Sequence, residues 1–311
     1  MQLPSVLEQR KNQYALACLF FVVLLILWKP SVIIYGVQRA GLYAAIAIPM
    51  ALVLGVVGIL NIAHGDFMMI GAYLAYWGSV LYGVDPLVAM IPVFMVMFIA
   101  GAITYKITIK RVLDAPEFSQ LLLTFGLAMI LEQLANLLWT SQPRKLHVDY
   151  ASTSAAIGSY SFGVFEFANV VVAILILITL VLFLSRTRTG QAALAVGQNP
   201  RGARLVGIDV ERSYLLLFSL SIAIVSAIGG LFLIRHSIFP LVGSSYTMRS
   251  FALIAMAGIG NLPGILYCSL GLGVAESFIM SFKGYGGWAD IVFFAFILLV
   301  ILIRSYRERL T

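Results

Sequence analysis

The chain has 311 residues, 61% of them hydrophobic and only 11% charged, with a mean hydropathy of +1.01. A soluble domain carries about 25% charged residues, so a soluble enzyme, a nucleic-acid-binding module and a disordered scaffold are excluded. The net charge of +7 is read as a record of membrane orientation, because cytoplasmic loops collect Lys and Arg.

Residues 1–13 are polar and short, and no small-residue cleavage site follows, so Tyr14–Trp28 is read as a retained first helix and not a signal peptide. No Asp, Glu, Lys or Arg occurs between Ala40 and Gly65, Phe67 and Val84, Pro86 and Tyr105, Phe167 and Ser185, Ser213 and Ile234, or Ser250 and Ala275. Each run is close to the ~20 apolar residues that span a bilayer. In chain order the candidate spans are 14–28, 37–60, 66–82, 86–105, 118–139, 166–184, 213–234, 248–260, 264–281 and 288–303. The expected fold is an all-α polytopic membrane protein, one transmembrane domain over 1–311. It should have about ten transmembrane helices, or eight or nine if 248–260 is a partial helix. Cys18 and Cys268 lie inside apolar stretches and read as small hydrophobes.

With the N-terminus inside, the inner segments carry Arg10, Lys11, Lys106, Lys110, Arg111, Arg186, Arg188, Arg201, Arg204, Arg212, Arg304, Arg307 and Arg309. The outer segments carry the shorter set Lys29, Arg39, Arg144, Lys145, Arg235, Arg249 and Lys283. Both termini are therefore expected in the cytoplasm. Two connections are longer than a turn requires: 140–165, expected outside, and 185–212, expected inside and the most polar stretch of the chain. No Walker phosphate loop is present, so any energy must come from a gradient or a separate subunit.

Within the inner loop, Asn199 suits a helix N-cap, Pro200 the first helical position and Gly207 the residue past the end. This punctuation predicts a helix of about two turns near 200–206. Arg201 and Arg204 would form its exposed side, with Ala203, Leu205 and Val206 supplying apolar contact. It reads either as an amphipathic stub on the lipid headgroups or as a docking helix for a cytoplasmic partner.

Polar residues inside the spans are the other candidates for function. Asn61, His64, Gly65 and Asp66 sit where 37–60 gives way to 66–82. An ionised Asp at a helix centre costs about 2.5–3.5 kcal/mol on insertion scales. Three readings stay open: a helix break at the cytoplasmic side where the side chains see water, a broken helix lining a translocation path, and a proton relay through His64. Thr124, Ala128, Glu132 and Asn136 recur at i+4 steps within an arc of ~120° and should face protein or a water-filled path. Glu276 is a second isolated carboxylate, and both glutamates read as interhelical struts or as contacts for a substrate ammonium. Small residues at four-residue intervals (Gly71, Ala75, Ser79; Ser219, Ala223, Ala227; Ser269, Gly273, Ser277) predict close helix packing.

Three motifs carry a family resemblance. They are T-G-x-x-x-x-A-x-x-x-N-x-x-x-A-x-L-x-G-I over Thr189–Ile208, G-I-L-N-I-A-H-G-D-F-M-M-I-G-A-Y over Gly58–Tyr73, and G-I-G-N-L-P-G over Gly258–Gly264 followed by G-L-G-V-A-E over Gly271–Glu276. Over about 35–303, in order and spacing, the chain resembles permease subunits of branched-chain amino acid ABC importers of the LivH/LivM type. It departs from that pattern at Gln191-Ala192-Ala193, where the family often has an Arg after the first Gly, and at Met256-Ala257-Gly258, where leucine-glycine-glycine is usual.

The resemblance implies a type II importer-like arrangement in the plasma (inner) membrane, paired with a second permease. Two cytoplasmic ATPases would dock on the inner loops through Asn199, Pro200, Arg201, Ala203, Arg204 and Gly207. An extracytoplasmic binding protein would deliver a small polar solute, expected to be a branched-chain amino acid. No cofactor, metal or catalytic residue is expected, and no nucleic acid partner. The rival from another class is a stand-alone secondary transporter or channel using His64, Asp66 and Glu132 as coupling groups. An integral-membrane enzyme would need clustered His, Asp and Glu, which the sequence lacks.

Overall fold

The structure, a computed structural model, describes residues 29–113, 115–157, 160–282 and 286–288, together with 291, 293–295, 297, 298 and 302. The expected span 14–28 lies outside the described residues, as does much of 288–303.

Helix α1 (Pro30–Val56) runs from one end of the bundle to the other, and α2 (His64–Tyr82) returns. Then α3 (Pro86–Ile107) descends and α4 (Glu117–Trp139) ascends. A short antiparallel hairpin, β1 (Ser154–Ile157) and β2 (Tyr160–Gly163), follows, with Ser154 opposite Gly163 and Ala155 opposite Phe162. Its side is called the hairpin end below. Next come α5 (Phe167–Arg186), two short helices α6 (Arg188–Gln198) and α7 (Pro200–Leu205) at the opposite end, and α8 (Val210–Arg235). The last helices are α9 (Val242–Ala257) and α10 (Leu262–Met280). Among the described residues, six helices are long and apolar enough to cross a membrane: α1, α3 with its 3-10 extension, α4, α5, α8 and α10.

Local chemistry sets these boundaries. The Asp85 carboxylate accepts from the Leu87 amide at 2.8 Å and Pro86 opens α3. Asn199 accepts from the Gly202 amide at 3.0 Å before Pro200, and Asn261 accepts from the Gly264 amide at 3.0 Å. Each cap satisfies an amide that the helix leaves open.

Three expectations need correction. The span placed at 37–60 is a helix from Pro30 to Val56, and its final residues are unwound beyond Gly58, whose φ of +77° ends the helix. The span at 248–260 begins earlier, at Val242. The loop 140–165 holds the β-hairpin, so the fold is not purely helical.

Helices α1 and α8 form the centre, with most of each buried, whereas less than a quarter of α3, α4 and α5 is buried. Their packing uses missing side chains. A Cβ on Gly71 would overlap the Ser226 carbonyl, one on Gly229 would overlap the Met68 carbonyl, and one on Gly273 would overlap the Gly36 carbonyl. Gly71 and Gly273, one member of each expected small row on α2 and α10, therefore sit at true close approaches. On α8 the close contacts with α2 fall on Ser226 and Gly229.

Candidate functional site

The unwound stretch after α1 re-enters the bundle. His64 Nε2 donates to the Ile46 carbonyl at 2.9 Å. Ile46 precedes Val56 by ten residues, about 15 Å back along the helix axis, so α2 begins deep within the bundle. The Thr124 hydroxyl on α4 donates to the Leu60 carbonyl at 3.0 Å. Such a partner is required, because unwound backbone at membrane depth has no water to satisfy it. Asn61, His64 and Asp66 are all buried. The helix break expected near His64 is present, but its side chains do not see water, contrary to the first of the three readings.

Helix α9 closes over this break. The Gly65 amide donates to Thr247 Oγ1 at 2.8 Å, and a Cβ on Gly65 would overlap the Gly243 carbonyl. Asp66 lies in the first turn of α2, and its carboxylate lies against Gly243 in the first turn of α9. Two helix N-termini thus meet at one buried carboxyl group. Asp66 Oδ1 has no hydrogen-bond partner among the described residues.

Glu276 belongs to a separate cluster. Tyr43 donates to its Oε2 at 2.5 Å, Arg249 Nε lies 3.5 Å from Oε1, and Arg39 Nη1 lies 3.7 Å from Oε2. The Arg249 guanidinium also sits 5.6 Å from the Tyr43 ring centre and 5.3 Å from that of Phe293. Arg249, counted above with the outer segments, lies midway along α9, with its side chain 17% exposed. Helix α9 joins the two clusters, since Thr247 holds Gly65 while Tyr246 stacks at a tilt on Tyr43, 6.3 Å between centres.

The expected polar row on α4 does not share one environment. Thr124 and Ala128 are buried, Glu132 is half-buried and Asn136 is exposed. Each i+4 step drifts by about 40°, so two steps past Ala128 the row has turned off the buried face, while Ala135, at i+7, stays on it.

At the hairpin end a cavity of about 520 Å³ opens between α1, the hairpin, the start of α5 and the end of α8. Tyr35, Gln38, Arg39 and Tyr43 line it from α1, and Glu166, Arg235 and His236 line it from the far side. Arg235 pairs with Glu166 and donates to the Ala151 carbonyl at 2.9 Å. Burial, and then the nearby Arg39 and Arg235 cations, push the His236 imidazole below its usual pKa. Sequence reasoning passed over Arg39 and Arg235 because it counted them only as loop charges. Their positions at the very edges of charge-free runs were the available signal.

At the opposite end the polar loop is two helices, not one. Thr187 caps α6 by accepting from the Gly190 amide at 3.0 Å. Gly197 of α6 lies against Val56, so α6 rests on the end of α1. Helix α7 has the expected cap at Asn199, and Gly207 takes a φ of +85°. Ala203, however, points inward. It packs with Val196 and Val210, while Leu205 and Val206 are 89% and 76% exposed. Ala203 is therefore a foundation of α7 within this chain, not a contact for a partner, because the helix face toward α6 and α8 runs through it.

Residues 32–302 match the family described as branched-chain amino acid transport system, permease component. The chain belongs to this permease family. The permease is 27% identical to the high-affinity branched-chain amino acid transport system permease protein BraD of Pseudomonas aeruginosa, over 88% of this chain and 92% of that protein. It is 27% identical to LivH of Salmonella typhimurium, over 86% of this chain and 91% of that one, and 28% identical to a probable LivH of Methanocaldococcus jannaschii, over 79% of each. No solved structure matches. The permease is a transport subunit and not an enzyme.

Proposed function

We propose that the permease forms half of the membrane core of an ATP-binding-cassette importer for branched-chain amino acids, paired with an identical or related permease in a type II importer-like arrangement. The whole chain, 1–311, acts as one transmembrane domain in the plasma membrane. The hairpin end faces outward, toward a substrate-binding protein, and the α6–α7 end faces the cytoplasm, where two ATPases dock; both termini are cytoplasmic. Supporting this orientation, Lys106, Lys110, Arg111, Arg186, Arg188, Arg201, Arg204 and Arg212 lie at or near the α6–α7 end.

One observation carries the docking role: the exposed apolar pair Leu205–Val206 at the tip of α7, flanked by Arg201 and Arg204. A six-residue helix is not stable alone, and α7 is held by its Asn199 cap and by Ala203 beneath it. This leaves Leu205 and Val206 as the surface that a groove in an ATPase would cover. Movement there passes through α6 to the end of α1 and on to the re-entrant stretch holding Asn61, His64, Gly65 and Asp66. Those residues, with Glu132, Asn136 and Glu276, are proposed to shape or brace the translocation path. His64 is committed to the Ile46 carbonyl, which weighs against its use as a freely titrating coupling group in a stand-alone transporter.

The test separates docking from folding. Leu205→Glu and Val206→Glu should leave the yield and melting temperature of the permease unchanged while abolishing co-purification of the ATPases and leucine uptake. Ala203→Glu should instead lower the yield itself, because it buries an unpaired charge inside this chain. ATPase retention and normal uptake in Leu205→Glu would remove the docking role.

A further inference from the structure

The cavity at the hairpin end has a charge pattern that the packing of the bundle does not require. Arg39, Arg235 and Glu166 line it, and Glu276 with Arg249 lies next to Arg39 behind the wall. Arg235 is spent on Glu166 and the Ala151 carbonyl. Arg249 is spent on Glu276 and its aromatic neighbours. Glu276 Oε2 already receives the Tyr43 hydroxyl at 2.5 Å, so Arg39, at 3.7 Å from the same oxygen, is beyond hydrogen-bond reach. Among the described residues Arg39 makes no hydrogen bond, and its side chain is 38% exposed on the cavity wall. Arg39 shares Glu276 with Arg249, so the three guanidinium groups face only two carboxylates.

Glu166 is committed elsewhere: its Oε1 faces Arg235 and its buried Oε2 lies against Gly163. Arg39, Arg235, Glu166 and His236 all line one space. That space, about 520 Å³, falls in the ~300–1,000 Å³ range of small-molecule sites.

We infer that this cavity is a binding site for a zwitterionic α-amino acid, with the Arg39 guanidinium on its wall holding the carboxylate. Guanidinium and carboxylate match as a fork, and such charge-assisted pairs are the strong ones. The site lies on α1, whose cavity-facing residues Tyr35, Gln38, Arg39 and Tyr43 reach about 20 Å in from Pro30. It is therefore a first station on the outer side, above the re-entrant break. This inference rests on the import reading above.

The experiment uses the purified permease in nanodiscs, with Cys18 and Cys268 replaced by serine and Ser161→Cys introduced on the cavity wall. The rate of alkylation by a charged methanethiosulfonate reagent is measured against L-leucine and against leucinol, which keeps the ammonium and side chain but lacks the carboxylate. L-Leucine should slow labelling and leucinol should not. In Arg39→Gln the half-protecting leucine concentration should rise about tenfold or more, with Arg39→Lys in between. Equal protection by leucinol, or unchanged protection in Arg39→Gln, would overturn the assignment. So would protection that requires the binding protein, since Arg39 would then be a docking group for that protein. If leucine fails to protect while the complete transporter still imports it, the site is wrong and the import reading stands. If the complete wild-type transporter imports no leucine, the import reading itself has failed.

Discussion

Gly65→Ala is expected to abolish recovery of folded permease, although it adds a single methyl group. That methyl would overlap the Gly243 carbonyl and lie 2.6 Å from Thr247 Oγ1, and the carbonyl belongs to the backbone of α9. Relief requires moving a whole helix away from the start of α2. Overpacking a dense interior costs about 1–3 kcal/mol, more where backbone must shift. The move would also break the Gly65–Thr247 hydrogen bond and disturb Asp66, whose carboxylate lies against Gly243. Gly78→Ala, on the same helix, meets nothing within 4 Å and should be neutral or stabilising by about 0.5–1 kcal/mol, since alanine favours the helix. Fluorescence-detected size exclusion after a heat step compares the two. Equal melting temperatures would show that α2 and α9 do not meet as closely as described.

Glu276→Leu is expected to be as damaging, for an electrostatic reason. Glu276 is fully buried between Tyr43, Arg249 and Arg39. Its removal takes from Arg249, whose side chain is 17% exposed, its carboxylate partner, and losing one partner of a buried pair costs about 3–5 kcal/mol. Arg39 is more exposed and is discounted for screening. Removing both charges should restore the yield, so Glu276→Leu with Arg249→Met should recover much of what Glu276→Leu loses. Tyr43→Phe, which deletes one hydrogen bond to a charged group, should cost about 1.5–3 kcal/mol. Wild-type yield and melting temperature in Glu276→Leu would show that the cluster is not an interhelical strut.

What could be read in advance was local. Asn199, Pro200 and Gly207 stand within one short helix, and their capping chemistry needs no distant partner, so the ends of α7 were legible. The charge-free runs likewise exposed most membrane-depth helices, because lipid penalises charge wherever it occurs. What escaped depends on contacts far along the chain. Ala203 looked like a contact for a partner because nothing local says that Val196 and Val210 lie beneath it. Arg249 looked like a loop charge because its carboxylate, Glu276, comes from the next helix. The depth of His64 is set by Ile46 of α1, and a sequence pattern marks the break there without its direction. Helix α6 was read as loop, although Thr187 as a cap and the buried positions Gly190, Ala193 and Val196 were a usable signal.

The central claim is that α7 is where an ATPase meets this permease. A photo-crosslinking amino acid placed at Leu205, and separately at Tyr82, exposed at the hairpin end, tests it in a transporter co-expressed with its tagged ATPases. Irradiation should join position 205, and not 82, to the tagged ATPase in preparations that hydrolyse ATP and import leucine. Efficient import with no ATPase adduct at 205, or an adduct at 82 instead, would contradict the account.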